Sequence, residues 1–226
     1  MLIASCGAEE PVADTDTPRT PAAPAPAAGP SRDEWQRPQE LLNVMGAHLV
    51  GNTVADLFAD DGYFTFKLLD AGANVIAVVD SEAKAIAIRQ EKDRQGIPDT
   101  RLQVRVSGPD EPGLGMAEAD VALLAHSYLK IPDRASYFEK LRAGLREPRT
   151  LYILDWQYRL TPIGPPIEQR IRMEDVMDEM GIYGFAGVGA LGNKIPYHVI
   201  YMASDAPPGE EIMPENIPPI EVRPMD

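Results

Sequence analysis

The chain has 226 residues, with 35 acidic and 21 basic side chains and a formal charge of -14. Binding to a phosphate backbone depends on clustered lysine and arginine, so this acidic balance argues against a nucleic-acid partner. No apolar run approaches the ~20 residues that a membrane-spanning helix needs. One cysteine and three scattered histidines exclude an internal disulfide and a thiolate-rich zinc site, and no metal site is predicted.

The first residues resemble a bacterial lipobox, in which an aliphatic residue and two small residues precede a cysteine. The segment reads MLIASC and predicts lipidation at Cys6. Only five residues precede Cys6, whereas a secretory signal needs an apolar region of about 7–15 residues, so we expect a longer signal upstream. The expected location is the cell envelope, with a periplasmic-side domain that meets the membrane only through this anchor. The alternative is an incidental cysteine in a cytoplasmic protein.

Prolines cluster at both ends of the chain, where they disfavour helices and central strands. Residues 1–32 are predicted to form the lipobox-like start and a disordered Pro/Ala-rich tether, and residues 204–226 an acidic, Pro-rich tail. The folded domain is predicted at residues 33–203, which is long enough for a single core.

Apolar, strand-like runs alternate with amphipathic helical segments through the predicted domain. Continuously apolar strands of this kind are typical of a parallel sheet covered by helices on both faces. We therefore predict an α/β fold with a Rossmann-like, doubly wound, mostly parallel sheet. The predicted elements in chain order are a helix at 38–45, a strand at 53–58, a helix at 64–71, a strand at 74–79, a helix at 82–95, strands at 102–106 and 120–125, a helix at 135–145, a strand at 150–155, a helix at 173–180 and a strand at 198–203.

The turn after the first predicted strand carries the most informative motif, because ligands of such sheets bind beyond the carboxyl ends of the strands. Residues 54–65, VADLFADDGYFT, resemble the first motif of the class I S-adenosylmethionine-dependent methyltransferases, usually VADIGAGxGYFT. Later segments resemble, in order, a subfamily of these enzymes that is partly secreted or lipid-anchored. They are RDEWQRP at 32–38, SGPDEPGL at 107–114, HSYLKIPDR at 126–134, LYILD at 151–155, TPIGPP at 161–166 and PYHV at 196–199.

The resemblance implies a methyltransferase fold, S-adenosyl-L-methionine as cofactor and methyl transfer to an unidentified small-molecule acceptor. Catalysis would then be mainly in-line positioning, because the leaving group is already activated. Candidate catalytic residues are His126, as a general base, and Tyr128. The cofactor-binding positions that the resemblance implies are Asp56, Ala59, Gly62, Asp80, Asp110 and His126.

These positions have distinct implied roles. Asp56 would anchor the amino-acid end of the cofactor, Asp80 the ribose and Asp110 the adenine, while His126 would line the methyl-transfer cleft. The family's glycines let the backbone approach the methionine moiety, and Gly62 is the one that remains here. Alternatives stay open for three of these residues. Asp56 can cap the following turn, and Asp80 with the next residue can cap the following helix. His126 can line the cleft without a catalytic role.

The chain departs from the family pattern at several of these positions. Phe58 and Asp60 stand where the family has glycine. Aligned without gaps, the ribose-binding acid falls on Val79, with Asp80 one place late, and Asp110 is likewise displaced by one. The predicted function is therefore methyl transfer, impaired or intact. The alternative is a non-catalytic envelope lipoprotein that uses the fold for binding or structure.

The acidic loop also predicts an electrostatic effect. Asp56, Asp60 and Asp61 lie within six residues, so we expect them to repel one another and raise the pKa of at least one. Three carboxylates could also suit a hard cation such as Ca²⁺, although nothing else in the sequence resembles a calcium loop.

Overall fold

The structure is a computed structural model, and it describes residues 31–205. The predicted lipidation at Cys6, almost all of the predicted tether and almost all of the predicted tail lie outside these residues. Between residues 31 and 205, no helix combines the length and the apolar character that crossing a membrane requires.

The described residues form one seven-stranded sheet. The strand order across it is 3-2-1-4-5-7-6 in chain numbering, and strand 7 runs in the direction opposite to the other six. This arrangement confirms the predicted Rossmann-like, mostly parallel fold. The strands are β1 (Thr53–Leu57), β2 (Asn74–Val79), β3 (Leu102–Val106), β4 (Ala119–Ala125), β5 (Leu145–Trp156), β6 (Gly187–Leu191) and β7 (His198–Ser204).

Helices cover both faces of the sheet. They are α1 (Arg32–Gln36), α2 (Pro38–Met45), α3 (Tyr63–Asp70), α4 (Glu82–Gln95), α5 (Arg134–Gly144) and α6 (Met173–Ile182). Leu41 of α2, Leu68 of α3 and Ile88 of α4 are buried in the core on one face. Phe138 of α5 and Met180 of α6 are buried in the core on the other. Both cores follow from the apolar strands, whose side chains alternate between the two faces.

The order of the strands fixes where a ligand site can lie. The chain runs from β1 outward through β2 to β3 and then returns to β4, which pairs with the other edge of β1. The strand order therefore reverses between β1 and β4, and the crevice beyond their carboxyl ends is the expected site. Residues 58–62 follow β1 there, and residues 126–130 follow β4.

Several predicted boundaries differ from the structure for local reasons. The first strand ends at Leu57 rather than at residue 58, because Phe58 has φ 54, which a strand does not allow. The fifth helix ends at Gly144, and Leu145 already has extended dihedrals and begins β5. Helix α3 spans Tyr63–Asp70, one residue earlier than predicted at each end.

Strand β6 and helix α1 are not predicted from the sequence. Strand β6 reads GVGAL, and its two glycines lack the β-branched and aromatic character that marks a strand. It forms because β7 offers it an antiparallel partner along five residue pairs. The elements also extend one residue past the predicted domain at each end, to Arg32 and Ser204, and Asp205 then pairs with Arg142 and Arg149.

The central strands should dominate stability. Leu123 of β4 is fully buried, and we expect Leu123→Ala to lower the free energy of unfolding by about 2–5 kcal/mol through lost burial and a residual cavity. Leu160 is 87% exposed, and Leu160→Ala should change it by less than about 0.5 kcal/mol. Urea denaturation measures both, and equal effects would contradict this assignment of the core.

Candidate functional site

The loop after β1 has a left-handed backbone at alternate residues. Phe58 has φ 54, Asp60 φ 53 and Gly62 φ 79. Only glycine adopts such angles readily, and other residues there cost on the order of 1–3 kcal/mol each. The loop therefore has the backbone shape of a glycine-rich loop while carrying a benzyl group and a carboxylate at two of the three positions.

The charges of this loop are matched by two cations. Nζ of Lys84 lies 2.9 Å from a carboxylate oxygen of Asp60 and 2.9 Å from one of Asp80, so it joins the loop to the end of β2. Nη1 of Arg32 lies 2.6 Å from Oδ2 of Asp61. The hydrogen bond from Lys84 lowers the pKa of Asp80. Between residues 31 and 205, no group of three or more potential ligands could hold a metal ion.

Asp56 lies in β1 and is buried, at 1% exposure. The hydroxyl of Thr65 in α3 donates to its Oδ2 at 2.6 Å. Burial raises the pKa of Asp56 to about 7, the Thr65 hydrogen bond opposes the increase, and the charge of Asp61 adds to it. The increase has the predicted direction, but its main cause is burial rather than repulsion within the loop.

Helix α1 covers the carboxyl ends of the strands. The ring of Trp35 stacks on Trp156 of β5, at 5.4 Å between centroids, and on His198 of β7, at 5.8 Å. The guanidinium of Arg32 lies 3.9 Å above the ring of Tyr63 in α3. These contacts attach a five-residue helix to three different elements of the domain.

A chain of hydrogen bonds from α1 determines which ring nitrogen of His126 carries the proton. Nε of Arg32 donates to Oε1 of Gln36 at 2.6 Å, and arginine has no acceptor, so the amide orientation of Gln36 is set. Its Nε2 then donates to Nδ1 of His126 at 3.2 Å. Burial lowers the pKa of His126 well below 6.5, so the ring is neutral and carries its proton on Nε2. That buried nitrogen has no hydrogen-bond partner between residues 31 and 205.

Nε2 of His126 is consequently a hydrogen-bond donor in this arrangement, and a role of this residue as a general base stays a prediction. Its φ of 52 also lies in the left-handed region. The neighbouring His198 carries its proton on the other nitrogen. Its Nδ1 lies 2.6 Å from the carbonyl oxygen of Pro196 and must donate to it. Burial lowers the pKa of His198 to about 4, and the two imidazole centroids are 5.0 Å apart.

Two cavities lie at the expected crevice and share His126 and Lys130. The loop cavity, between the β1 loop and the end of β4, has a volume of about 60 Å³, and its lining includes Arg32, Asp56, Phe58 and Ala59. The β4–β5 cavity has a volume of about 400 Å³, and its lining includes Leu129, Asp155, Trp156 and Pro165. Burial raises the pKa of Asp155 to about 6, opposed by the backbone N–H groups of Trp156 and Tyr128.

A rigid loop forms one wall of the β4–β5 cavity. Arg170 is 7% exposed and its guanidinium donates to the loop after β5. The acceptors are the carbonyls of Gln157, Arg159, Ile163 and Pro165 and the hydroxyl of Thr161. Gly164, at φ +95, packs on Trp156 so closely that an added Cβ would lie 2.7 Å from the indole.

The other sequence-predicted site residues lie away from these cavities. Tyr128 is fully buried in the core under α5 and α6, and its hydroxyl donates to Oε2 of Glu179 at 2.5 Å. Asp110 is exposed, and its carbonyl accepts a hydrogen bond from Lys140. Gly62 lies beside Ile88, outside both linings. The N-cap position of α4 is Ser81, whose side chain makes no capping hydrogen bond.

No family model matches the chain, and no curated protein matches it. Solved structures do. A SAM dependent methyltransferase from Aquifex aeolicus has a TM-score of 0.71 at 21% identity, over 78% of this chain and 94% of that one. An S-adenosylmethionine dependent methyltransferase from Mesorhizobium loti has a TM-score of 0.57 at 16% identity, over 73% and 95%.

A third structure is magnesium protoporphyrin IX methyltransferase from Synechocystis with bound SAH, with a TM-score of 0.57 at 17% identity, over 76% of this chain and 83% of that one. These neighbours show that the chain has the fold of the class I S-adenosylmethionine-dependent methyltransferases. They also support S-adenosylmethionine as the cofactor.

The residues of the loop cavity do not fit that cofactor in this arrangement. Cavities that hold ligands of such size have volumes of about 300–1,000 Å³, and this one has about 60 Å³. Phe58 carries a benzyl group at a position where the resemblance implies contact between the backbone and the ligand. Lys84 ties Asp80, the implied ribose acid, to Asp60 of the loop. The described residues thus have the fold of these methyltransferases, while the loop cavity in this arrangement is too small for the cofactor.

The left-handed backbone of the loop predicts an unusual order of stability for the alanine and glycine variants of residue 58. Both Phe58→Ala and Phe58→Gly lose the ring, but only glycine relieves the positive φ, so the glycine variant should be as stable as the alanine variant or up to about 1 kcal/mol more stable. At the helical Phe64 the order should reverse, with alanine more stable by about 0.5–1 kcal/mol. Urea denaturation of the four variants provides the comparison. The same order at both positions would count against a left-handed Phe58.

Asp56 predicts a pH dependence of stability. Its folded pKa is raised to about 7 from 3.8, so the folded state binds more protons than the unfolded state between these values. This group's contribution to stability is therefore lost as the pH rises from about 4 to about 7. Asp56→Asn should lose less stability than the wild type between pH 5 and pH 7, as measured by denaturant unfolding. Parallel curves for the two proteins would refute it.

Proposed function

We propose that this protein is a methyltransferase-fold binding protein that does not transfer methyl groups from S-adenosylmethionine. The observation that supports this most directly is the loop cavity of about 60 Å³ at the position where the fold binds its cofactor. The proposed role corresponds to a non-catalytic protein that uses the scaffold to bind another small molecule. Its location in the cell envelope stays a prediction, because Cys6 lies outside the described residues.

Packing, more than charge, closes the cavity. The ion pairs of Lys84 and Arg32 are partly exposed, and such pairs contribute only about 0–1 kcal/mol each. Trp35 and Phe58, in contrast, pack on aromatic rings of other elements, with Phe58 6.1 Å from Tyr137 between centroids. Opening the position would expose these rings to water, so the closed arrangement should persist in solution.

One observation favours a second candidate, an active methyltransferase with a small-molecule acceptor. The loop keeps the left-handed backbone at residues 58, 60 and 62, and Asp56 remains at its implied position. In this alternative α1 moves away, the cofactor enters beside the loop and the acceptor occupies the β4–β5 cavity. The alternative requires breaking the contacts of Trp35 and Gln36, which the first candidate leaves intact.

Calorimetric titration with S-adenosylhomocysteine separates the two candidates. The wild-type protein should give no saturable heat up to about 1 mM ligand, because the cavity is closed. The double variant Phe58→Gly and Asp60→Gly should gain measurable affinity, since it removes the two side chains that stand in place of the glycines. The cofactor product is used because it cannot react during the titration.

A matched substitution shows whether any gain is specific to the glycine positions. Asp61→Gly changes the same loop and removes one ion pair, but residue 61 lacks the positive φ of residues 58 and 60. This control should not bind. Micromolar binding by the wild type would end the proposal and favour the active alternative. Binding by neither wild type nor double variant leaves the non-catalytic function standing.

A further inference from the structure

The β4–β5 cavity remains open in a molecule whose cofactor position is closed. Its volume of about 400 Å³ lies in the range of pockets that hold small ligands. Arg170 and Gly164 hold its loop wall in one conformation, so the cavity is preformed. A preformed cavity avoids the cost of ordering a loop when a ligand binds. The side chains that line it therefore indicate what the ligand is.

The polar groups of the cavity that lack partners favour an anionic oxygen. Among residues 31–205 the ammonium of Lys130 makes no direct ion pair or hydrogen bond, and its charge interacts at longer range with the carboxylates of Asp80 and Asp155. His126 contributes a buried Nε2–H that likewise has no hydrogen-bond partner among these residues. Both groups are donors in the arrangement fixed by Gln36, and a carboxylate accepts from two donors at once. A neutral or cationic ligand would leave the ammonium of Lys130 without a directly bonded partner.

The remaining walls restrict the anion to a single charge on an apolar body. Leu129, Trp156 and Pro165 contribute apolar surface. Asp155 adds a carboxyl group to the same cavity, which repels a doubly charged phosphate more strongly than a singly charged carboxylate. The charge of Lys130 can balance one negative charge, and the net charge of -14 of the chain opposes further ones.

We propose that the β4–β5 cavity is a binding site for a small monocarboxylic acid with an apolar body. The carboxylate accepts hydrogen bonds from Lys130 and from Nε2–H of His126, and the body contacts Leu129, Trp156 and Pro165. This inference rests on the proposed function, because it supplies the ligand class of the non-catalytic binding protein. The strained backbone of His126, with φ 52, fits such a role, since strain at a donor persists where the site is preorganised.

Binding is tested on the full chain with phenylacetate and hexanoate, followed by tryptophan fluorescence and calorimetry. Trp156 lines the cavity, and the chain has only two tryptophans, so the emission should report occupancy. Both acids should bind saturably, and phenylacetamide and hexanamide should bind at least about tenfold more weakly, because the amides lack the charge. Inorganic phosphate should bind more weakly than either acid.

Lysine variants assign the binding to this cavity. Lys130→Met should weaken phenylacetate binding by about tenfold or more, and Lys130→Arg should retain it. Lys140→Met is the control, because that lysine lies on α5 and pairs with Glu111. Lys130 is exposed, so its variants should fold, and their unfolding curves check this.

Three outcomes would overturn the inference. They are the absence of saturable binding of both acids below about 10 mM, equal affinity for acids and amides, and unchanged affinity in Lys130→Met. None of these depends on the titration with S-adenosylhomocysteine. Micromolar binding of that compound would end the proposed function, whereas the three outcomes above decide the carboxylate site.

Discussion

The left-handed backbone of residues 58, 60 and 62 constrains the rest of the site. With glycine at all three positions, the space above the loop would be free for a ligand. With Phe58 and Asp60 present, two side chains must be accommodated there, one against Tyr137 and the other beside Lys84. Each unfavourable φ has to be offset by such contacts, so the loop is stabilised by its own neighbours without a ligand. Helix α1 then packs over a loop whose side chains, Phe58 and Asp60, already occupy this space.

Local sequence patterns were sufficient to predict most of the sheet. The apolar runs of β2 and β3 and the helix α4 were predicted to the residue, because each is bounded by a turn or a glycine such as Gly96, at φ 66. Strand β6 could not be predicted in this way, since GVGAL becomes a strand only beside β7. Helix α1 was missed for a related reason: its contacts are with residues far away in the sequence, such as Trp156.

The candidate site was less predictable than the fold. The motif VADLFADDGYFT indicated the loop and Asp56, and it also showed which glycines were replaced. It could not show that Phe58 and Asp60 would adopt left-handed backbone angles, which favour glycine. The roles of Lys84, Lys130 and Arg170 depend on which carboxylates and carbonyls lie near them, and three-dimensional packing decides this. The one local signal for Lys84 was its position four residues after Asp80.

The hydrogen bonds from Arg32 through Gln36 to His126 run in one direction only. A guanidinium cannot accept a hydrogen bond, so the amide of Gln36 has one allowed orientation, and the imidazole beyond it has one allowed tautomer. The partly exposed cation of α1 thus sets the polarity of a buried ring that belongs to the loop after β4. A neutral residue at position 32 would release the amide to rotate, and the ring could then exchange its donor nitrogen for its acceptor. The chemical character of the buried cavity is in this sense determined at the surface of the molecule.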